Sequence, residues 1–139
     1  MGERRRAILM ALLIGASAPA AAAEGITLEL NRLEPAGDNC RLYMVVSNGQ
    51  PVALTALQAD LVTFAADGLI NGRLAVELAP LDAAKTTVKL FDLPAVGCAS
   101  IARILLNEMA RCEAPDGPLE DCTRRTTPTS RVAGVDFFK

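Results

Sequence analysis

The chain has 139 residues, of which 51% are hydrophobic and 22% are charged, and its formal net charge is −2. It contains no histidine, which excludes Ser–His–Asp and Cys–His catalysis and metal sites built on imidazole. It has no glycine-rich phosphate loop, so nucleotide binding has no support and we expect no cofactor.

The first 23 residues have the organisation of a secretory signal peptide. A basic patch at Arg4–Arg6 precedes an apolar run over Ile8–Ile14, and small residues follow as far as Ala23. We expect cleavage between Ala23 and Glu24, at the end of an Ala-x-Ala pattern. An uncleaved anchor is the alternative, but the apolar run is shorter than the ~20 residues that span a bilayer. The sequence therefore predicts a periplasmic protein that has no stable membrane insertion after cleavage.

The leader is compatible with two routes of export, Sec and Tat. The stretch Arg5-Arg6-Ala7-Ile8-Leu9 fits a loose twin-arginine (Tat) pattern. The Tat route carries folded proteins, whereas the Sec route threads unfolded chains, and the leader suits either.

Residues 24–139 are expected to form a single domain, because 116 residues suffice for one core and not for two. The leader holds three of the 14 basic and one of the 16 acidic side chains, so its removal changes the net charge from −2 to −4. A mildly acidic domain without a basic stripe cannot hold a phosphate backbone. We therefore expect no nucleic-acid partner.

Short segments with alternating apolar residues recur along this domain, separated by turns rich in Gly, Pro, Asn and Asp. The pattern is typical of an all-β fold, an antiparallel immunoglobulin-like β-sandwich whose inner faces carry the apolar positions. The predicted inward residues are Ile26, Leu28, Leu30, Leu42, Met44, Val46, Leu74, Val76, Leu78, Val88 and Leu90.

Three further segments complete the predicted sandwich. Residues 54–65 are apolar on both faces, as in a central strand, with a helix as the alternative. Residues 100–111 fit a helical stripe behind Ser100, yet a strand with Ile104 and Leu106 facing inward would supply a missing partner, and we favour the strand. One short helix near 98–111 is the alternative. Residues 132–138 are predicted to form the closing strand.

Four cysteines, Cys40, Cys98, Cys112 and Cys122, indicate two disulfides in an exported chain of this size. Their spacings of 58, 14 and 10 residues contain neither a C-x-x-C motif nor a histidine partner. Zinc binding and thioredoxin-like redox chemistry therefore have little support.

The spacing also narrows the pairing. The 14 residues from Cys98 to Cys112 span ~21 Å as a helix or ~46 Å as a strand, and a disulfide joins Cα atoms only ~4.4–6.8 Å apart. In an immunoglobulin-like order the strands that follow Cys40 and Cys98 begin at the same pole. This favours Cys40–Cys98 with Cys112–Cys122 over Cys40–Cys112 with Cys98–Cys122.

Five stretches resemble one group of known proteins: Leu28–Pro35, Cys40-Arg41, Leu74–Leu78, Val88–Asp92 and Ile104–Asn107. In these stretches the chain resembles small uncharacterised exported proteins of alphaproteobacteria that are labelled by a twin-arginine leader. The stretch Val62–Ile70 resembles the strand–turn–strand of FxLYD-type immunoglobulin-like modules of bacterial envelopes. These resemblances imply a β fold outside the cytoplasm, and they bring no catalytic residues.

The function expected from these features is a non-enzymatic interaction module that binds a protein partner in the cell envelope through an exposed strand edge. A small-ligand or metal-binding periplasmic protein is the alternative. An enzyme of another type ranks lowest, because no carboxylate has the apolar setting that acid–base catalysis needs.

Two local features are candidate sites within that view. The acidic residues Glu113, Asp116, Glu120 and Asp121 could ligate calcium, but their spacing departs from the EF-hand loop and a solvated turn fits them better. Phe137-Phe138 is a candidate aromatic contact, because one of two successive strand side chains must face outward.

Overall fold

The computed structural model describes residues 15–16 and 25–139. The expected signal peptide, its twin-arginine pattern and the Ala23–Glu24 cleavage pair lie outside the described residues, apart from Gly15 and Ala16. The strands are β1 (Ile26–Ala36), β2 (Asn39–Asn48), β3 (Ala56–Phe64), β4 (Ile70–Glu77), β5 (Thr86–Leu93), β6 (Arg103–Ala114), β7 (Gly117–Pro118), β8 (Thr126–Ser130) and β9 (Asp136–Phe138). A single 3-10 turn at Cys98–Ser100 precedes β6, and a short helix α1 (Cys122–Arg125) precedes β8.

The strands form two sheets that pack on each other, which confirms the predicted all-β sandwich. The first sheet has the order β5-β2-β1-β8, and the second has the order β4-β3-β6-β7 with β9 also paired to β6. β3 is a central strand between β4 and β6, as its two apolar faces predicted. β6 is the strand that we favoured over a helix, and the 3-10 turn supplies the short helical segment in front of it.

Both sheets are mixed rather than purely antiparallel, which corrects the expectation. β8 runs parallel to β1, and β9 runs parallel to β6. The reason lies in the short connections. The segment after β6 stays at the pole where β1 begins, with Thr126 opposite Ile26, so β8 must run as β1 does. The five residues 131–135 then return the chain along β6.

The core lies between the inner faces of the two sheets. The predicted inward residues of β1 and β2, from Ile26 to Val46, are all at most 1% exposed. Ile104 and Leu106 of β6 are equally buried, and they belong to one apolar cluster with Leu57, Ala59 and Leu61 of the neighbouring strand β3. Two predicted core residues do not belong to it, because Val88 and Leu90 are 57% and 49% exposed.

The two disulfides join the pairs that the spacing allowed and the expected strand order favoured. Cys40 at the start of β2 bonds to Cys98 in the segment before β6, with Cα atoms 4.9 Å apart. Cys112 near the end of β6 bonds to Cys122 at the start of α1. No described cysteine is free.

The closing strand is shorter than predicted. Only Asp136–Phe138 form a strand, and Gly134 has a positive φ of 77° in the turn before it. The strand Thr126–Ser130 was not predicted. Its sequence, Thr-Thr-Pro-Thr-Ser, has no apolar alternation, and its proline is tolerated because β8 lies at the edge of the first sheet.

Candidate functional site

β5 carries the exposed apolar side chains that the sequence pattern predicted to lie in the core. Its burial alternates so that Val88 and Leu90 face outward, while Lys89 and Phe91 are half-buried on the inner side. Leu93 determines which face of β5 points inward, because it is 1% exposed and lies opposite Cys40 in the register with β2. A lysine is tolerated on the inner side at a sheet edge, since its long stem can carry the ammonium to water.

The outer face of β2 and β5 is a ladder of four cross-strand pairs. Val45 lies opposite Val88, and Tyr43 lies opposite Leu90. Because β2 has a neighbour on each side, Val45 and Tyr43 are half-buried, whereas the outer strand leaves Val88 and Leu90 open to solvent. We call these four residues the β2–β5 patch.

Polar pairs border the β2–β5 patch at both ends. At one end the hydroxyls of Ser47 and Thr86 lie 2.9 Å apart. At the other end Arg41 Nε and Nη2 donate to the two carboxylate oxygens of Asp92 at 2.7 and 3.0 Å. The Arg41 guanidinium holds the pKa of Asp92 below its usual range. An apolar centre with a polar rim is the common anatomy of a protein-binding surface.

The side of the patch nearer β1 is also polar. The Arg32 guanidinium lies 5.2 Å from the Tyr43 ring centroid, and it forms an ion pair of 2.7 Å with Glu34. The Tyr43 hydroxyl donates to the same carboxylate at 2.9 Å. The patch is thus enclosed by polar groups on three sides and is open on the fourth, where β5 ends the sheet.

That fourth side is an unpaired strand edge. β5 pairs with β2 alone, and no backbone group from residues 25–139 bonds to its outer edge. An edge of eight residues with free N–H and C=O groups is a template for an added strand. The combination of a free edge and exposed apolar side chains makes β5 the candidate site.

A second pair of exposed apolar residues lies at the β3–β4 turn. Leu69 and Ile70 are 68% and 65% exposed. Leu69 lies in the turn and Ile70 is the first residue of β4, so only Ile70 belongs to a strand. β5, in contrast, carries two exposed apolar residues on one face of the same strand.

An open groove of about 730 Å³ runs beside β6. β9 and β7 pair with only residues 103–105 and 113–114 of this strand edge, and between them the groove is lined by Met109, Arg111 and Thr123. Thr123 Oγ1 accepts a hydrogen bond from the Met109 N–H at 2.8 Å. Arg111 forms an ion pair with Glu113, and Lys139 Nζ donates to three backbone carbonyls. The charged side chains of this groove already have partners within the chain.

The acidic residues considered for calcium are not brought together. Glu113 pairs with Arg111 at 2.9 Å, and Asp121 pairs with Arg124 at 2.5 Å. Arg111 holds the pKa of Glu113 below its usual value. Within the described residues, no group of three or more Cys, Asp or Glu side chains is arranged to hold a metal ion.

The C-terminal aromatic pair divides between the two faces of β9. Phe137 is 4% exposed and belongs to the core. Phe138 is half-buried on the outer side, where its ring lies 6.4 Å from that of Phe64 and the Arg103 guanidinium lies 4.1 Å above it. The outward aromatic is therefore partly covered by neighbours.

Comparison with known proteins gives no relative: no family model, no curated protein and no solved structure matches the chain. Over the residues that the structure describes, no helix is long and apolar enough to cross a membrane. The two disulfides point to an oxidising compartment outside the cytoplasm.

Proposed function

We propose that this protein is a non-enzymatic interaction module that binds a protein partner of the cell envelope along the outer edge of β5. The observation that carries the proposal is the exposure of Val88 and Leu90 on a strand with an unpaired edge. An added strand would bond to the β5 backbone and would cover both side chains, as Val45 and Tyr43 are covered by their neighbours.

Site-specific crosslinking tests this proposal. A photoreactive residue at position 88 should form an adduct with an envelope protein in intact cells. The same residue at position 70 is the matched control, because Ile70 is also exposed, at 65%, but lies on the other sheet. A Leu90→Lys substitution should abolish the adduct from position 88, and Ile70→Lys should not. Equal adducts from both positions, or none from position 88, would contradict the proposal.

We further propose that the chain reaches the periplasm through its signal peptide, by the Sec or the Tat route. The two disulfides support this location, because such bonds persist in oxidising compartments. N-terminal sequencing of the protein from the periplasmic fraction should begin at Glu24. Replacing Arg5 and Arg6 by lysine should block export on the Tat route alone.

We also propose that the sandwich is immunoglobulin-like, and that the chain is related to exported alphaproteobacterial proteins and to FxLYD-type modules. The immunoglobulin-like sandwich is supported by the disulfide that joins the start of the second strand to the segment before the sixth. An experimental structure that places these strands in another sandwich topology would argue against it.

The groove beside β6 supports a second candidate function, the binding of a small ligand. Its volume of about 730 Å³ falls in the range of small-molecule sites. Native mass spectrometry of the protein from periplasm should then show a stoichiometric adduct. The variant Ala110→Trp, which would fill the groove, should lose the adduct, and an unadducted wild-type protein would argue against this candidate.

A further inference from the structure

Lys89 differs from every other cationic side chain in residues 25–139. It has no polar or charged partner among these residues, whereas each of the other lysines and arginines has at least one interaction, as Lys85, Arg41 and Lys139 do. It stands between Val88 and Leu90 on the opposite face of β5, half-buried and in register with the fully buried Met44.

This ammonium makes self-pairing of β5 unfavourable. If a second copy ran antiparallel along the free edge with Val88 opposite Leu90, the two Lys89 side chains would lie directly opposite each other. Like charges in that position, with Cβ atoms ~4.5–5.5 Å apart, destabilise a strand pair. A lysine of this kind is a known means of preventing edge-to-edge association.

The same charge defines what a foreign strand must supply. In an antiparallel or parallel pairing, the residues opposite Val88 and Leu90 share the outer face, and the residue between them faces Lys89. Apolar side chains would complete the β2–β5 patch, and a carboxylate would pair with the free ammonium.

We propose that the partner segment bound by β5 is an extended strand with an acidic residue between two apolar residues, whose carboxylate pairs with Lys89. This inference rests on the proposed function of β5. It adds the chemical class of the partner, and it assigns to Lys89 the role of a specificity-determining residue.

Synthetic peptides test the assignment. Three nine-residue peptides, each with a central Val-X-Val in a threonine-rich strand, would carry Glu, Gln or Lys at X. Their affinities would be measured by titrating isotope-labelled mature protein and following the backbone amides of β5 by NMR. We expect the Glu peptide to bind about two- to fivefold more tightly than the Gln peptide, and the Lys peptide to bind most weakly.

Charge reversal supplies the decisive comparison. The Lys89→Glu variant should reverse the order and prefer the Lys peptide. The variant Lys85→Glu is the control, because it makes the same change in charge just before β5, where Lys85 pairs with Asp82; it should keep the wild-type order. Equal affinity for the three peptides, an order that Lys89→Glu leaves unchanged, or no shift of β5 amides at millimolar peptide would overturn the inference.

The two proposals fail in different ways. If position 88 crosslinks to an envelope protein while the peptides bind without preference, only the acidic partner segment is wrong. If position 88 gives no adduct in cells, the proposed function of β5 falls, whatever the peptides do.

Discussion

Cys40 and Cys98 are joined with their Cα atoms 4.9 Å apart, so a covalent bond ties the start of β2 in one sheet to the segment that leads into β6 in the other. This bond closes a separation of 58 residues, whereas Cys112–Cys122 closes 10. The longer loop restricts the unfolded chain more strongly. The two bridges therefore differ in what they contribute to stability.

We expect Cys40→Ser to lower the free energy of unfolding by about 2–5 kcal/mol, the usual loss for a bridge in a small secreted domain. Cys122→Ser should cost less, because it opens only the short loop. Urea denaturation of both variants under identical conditions measures the difference. Equal losses would show that loop length does not decide the contribution.

The oxidation state gives a simpler test. The protein isolated without reductant should be about 4 Da lighter than the fully reduced chain, two hydrogens for each bridge. Mass spectrometry after alkylation should find no modified cysteine unless the sample is first reduced. Alkylation at all four positions without reduction would contradict the disulfide framework.

Gly72 of β4 is held in a space that excludes a side chain. A Cβ there would lie 2.7 Å from Thr63 Oγ1 and 3.2 Å from methyl groups of Leu93 and Val96. Thr63 is 1% exposed, and its hydroxyl bonds to Asn71 at 2.8 Å, so it cannot easily move. Gly72→Ala should destabilise the protein by about 1–3 kcal/mol, as overpacking usually does.

The matched control for that substitution is Gly97→Ala. A Cβ at position 97 would meet only Ser100 Oγ, at 3.9 Å, and the backbone φ of −70° suits alanine. It should be neutral or stabilise by up to about 1 kcal/mol. Thermal denaturation that ranks the two variants equally would argue against the tight packing of β4.

The buried carboxylate of Asp60 makes stability depend on pH. Asp60 is 6% exposed and accepts two hydrogen bonds of 2.8 Å from Arg73 and one of 2.8 Å from Asn107. The Arg73 guanidinium, assisted by Asn107, holds the pKa of Asp60 below its usual value. The stabilisation is therefore complete above the unfolded pKa of about 4, and it is lost as the pH falls through the lower folded pKa.

Arg73→Ala should accordingly cost about 1–3 kcal/mol at pH 7, because it leaves a buried acceptor without its main donor. The cost should shrink as the pH falls below about 4. Arg111→Ala is the control, since its partner Glu113 is 34% exposed and an exposed ion pair contributes little to stability. A cost for Arg73→Ala that stays constant down to pH 2 would contradict this account.

The two C-terminal aromatics should differ sharply. Phe137 is 4% exposed in the core, so Phe137→Ala should cost about 3–5 kcal/mol. Phe138 is half-buried on the outer face beside Phe64 and Arg103, and Phe138→Ala should cost about 1 kcal/mol. Denaturant titration of the two variants separates these values, and similar losses would place both rings in the core.

Several features of the fold could be predicted because they depend only on the local pattern of apolar residues or on the length of a disulfide bridge. The strict alternation in β1 and β2 identified a face that is now fully buried. The distance that a disulfide can bridge excluded Cys98–Cys112, and the expected direction of the strands favoured the observed pair Cys40–Cys98. The two apolar faces of residues 54–65 indicated the central position of β3.

The features that were missed depend on neighbours rather than on local sequence. β8 has no apolar alternation and exists because it pairs with β1. In β5, Val88 and Leu90 alternate with Lys89 and Phe91, and this pattern is the same whichever set faces inward. Leu93 held the signal, because its separation from Lys89 and Phe91 is even and it places them on the inner face.

By itself the sequence determined that this chain forms strands whose two faces differ in polarity. It also determined which pairs of cysteines can form disulfides, and which histidine-dependent chemistries the chain lacks. Only the tertiary structure decided which face of β5 points inward, and with it the candidate site. The physical reason is that a strand has a period of two residues, which fixes the side chains that share a face. Which face points inward depends on the sheet opposite and on whether a further strand lies alongside.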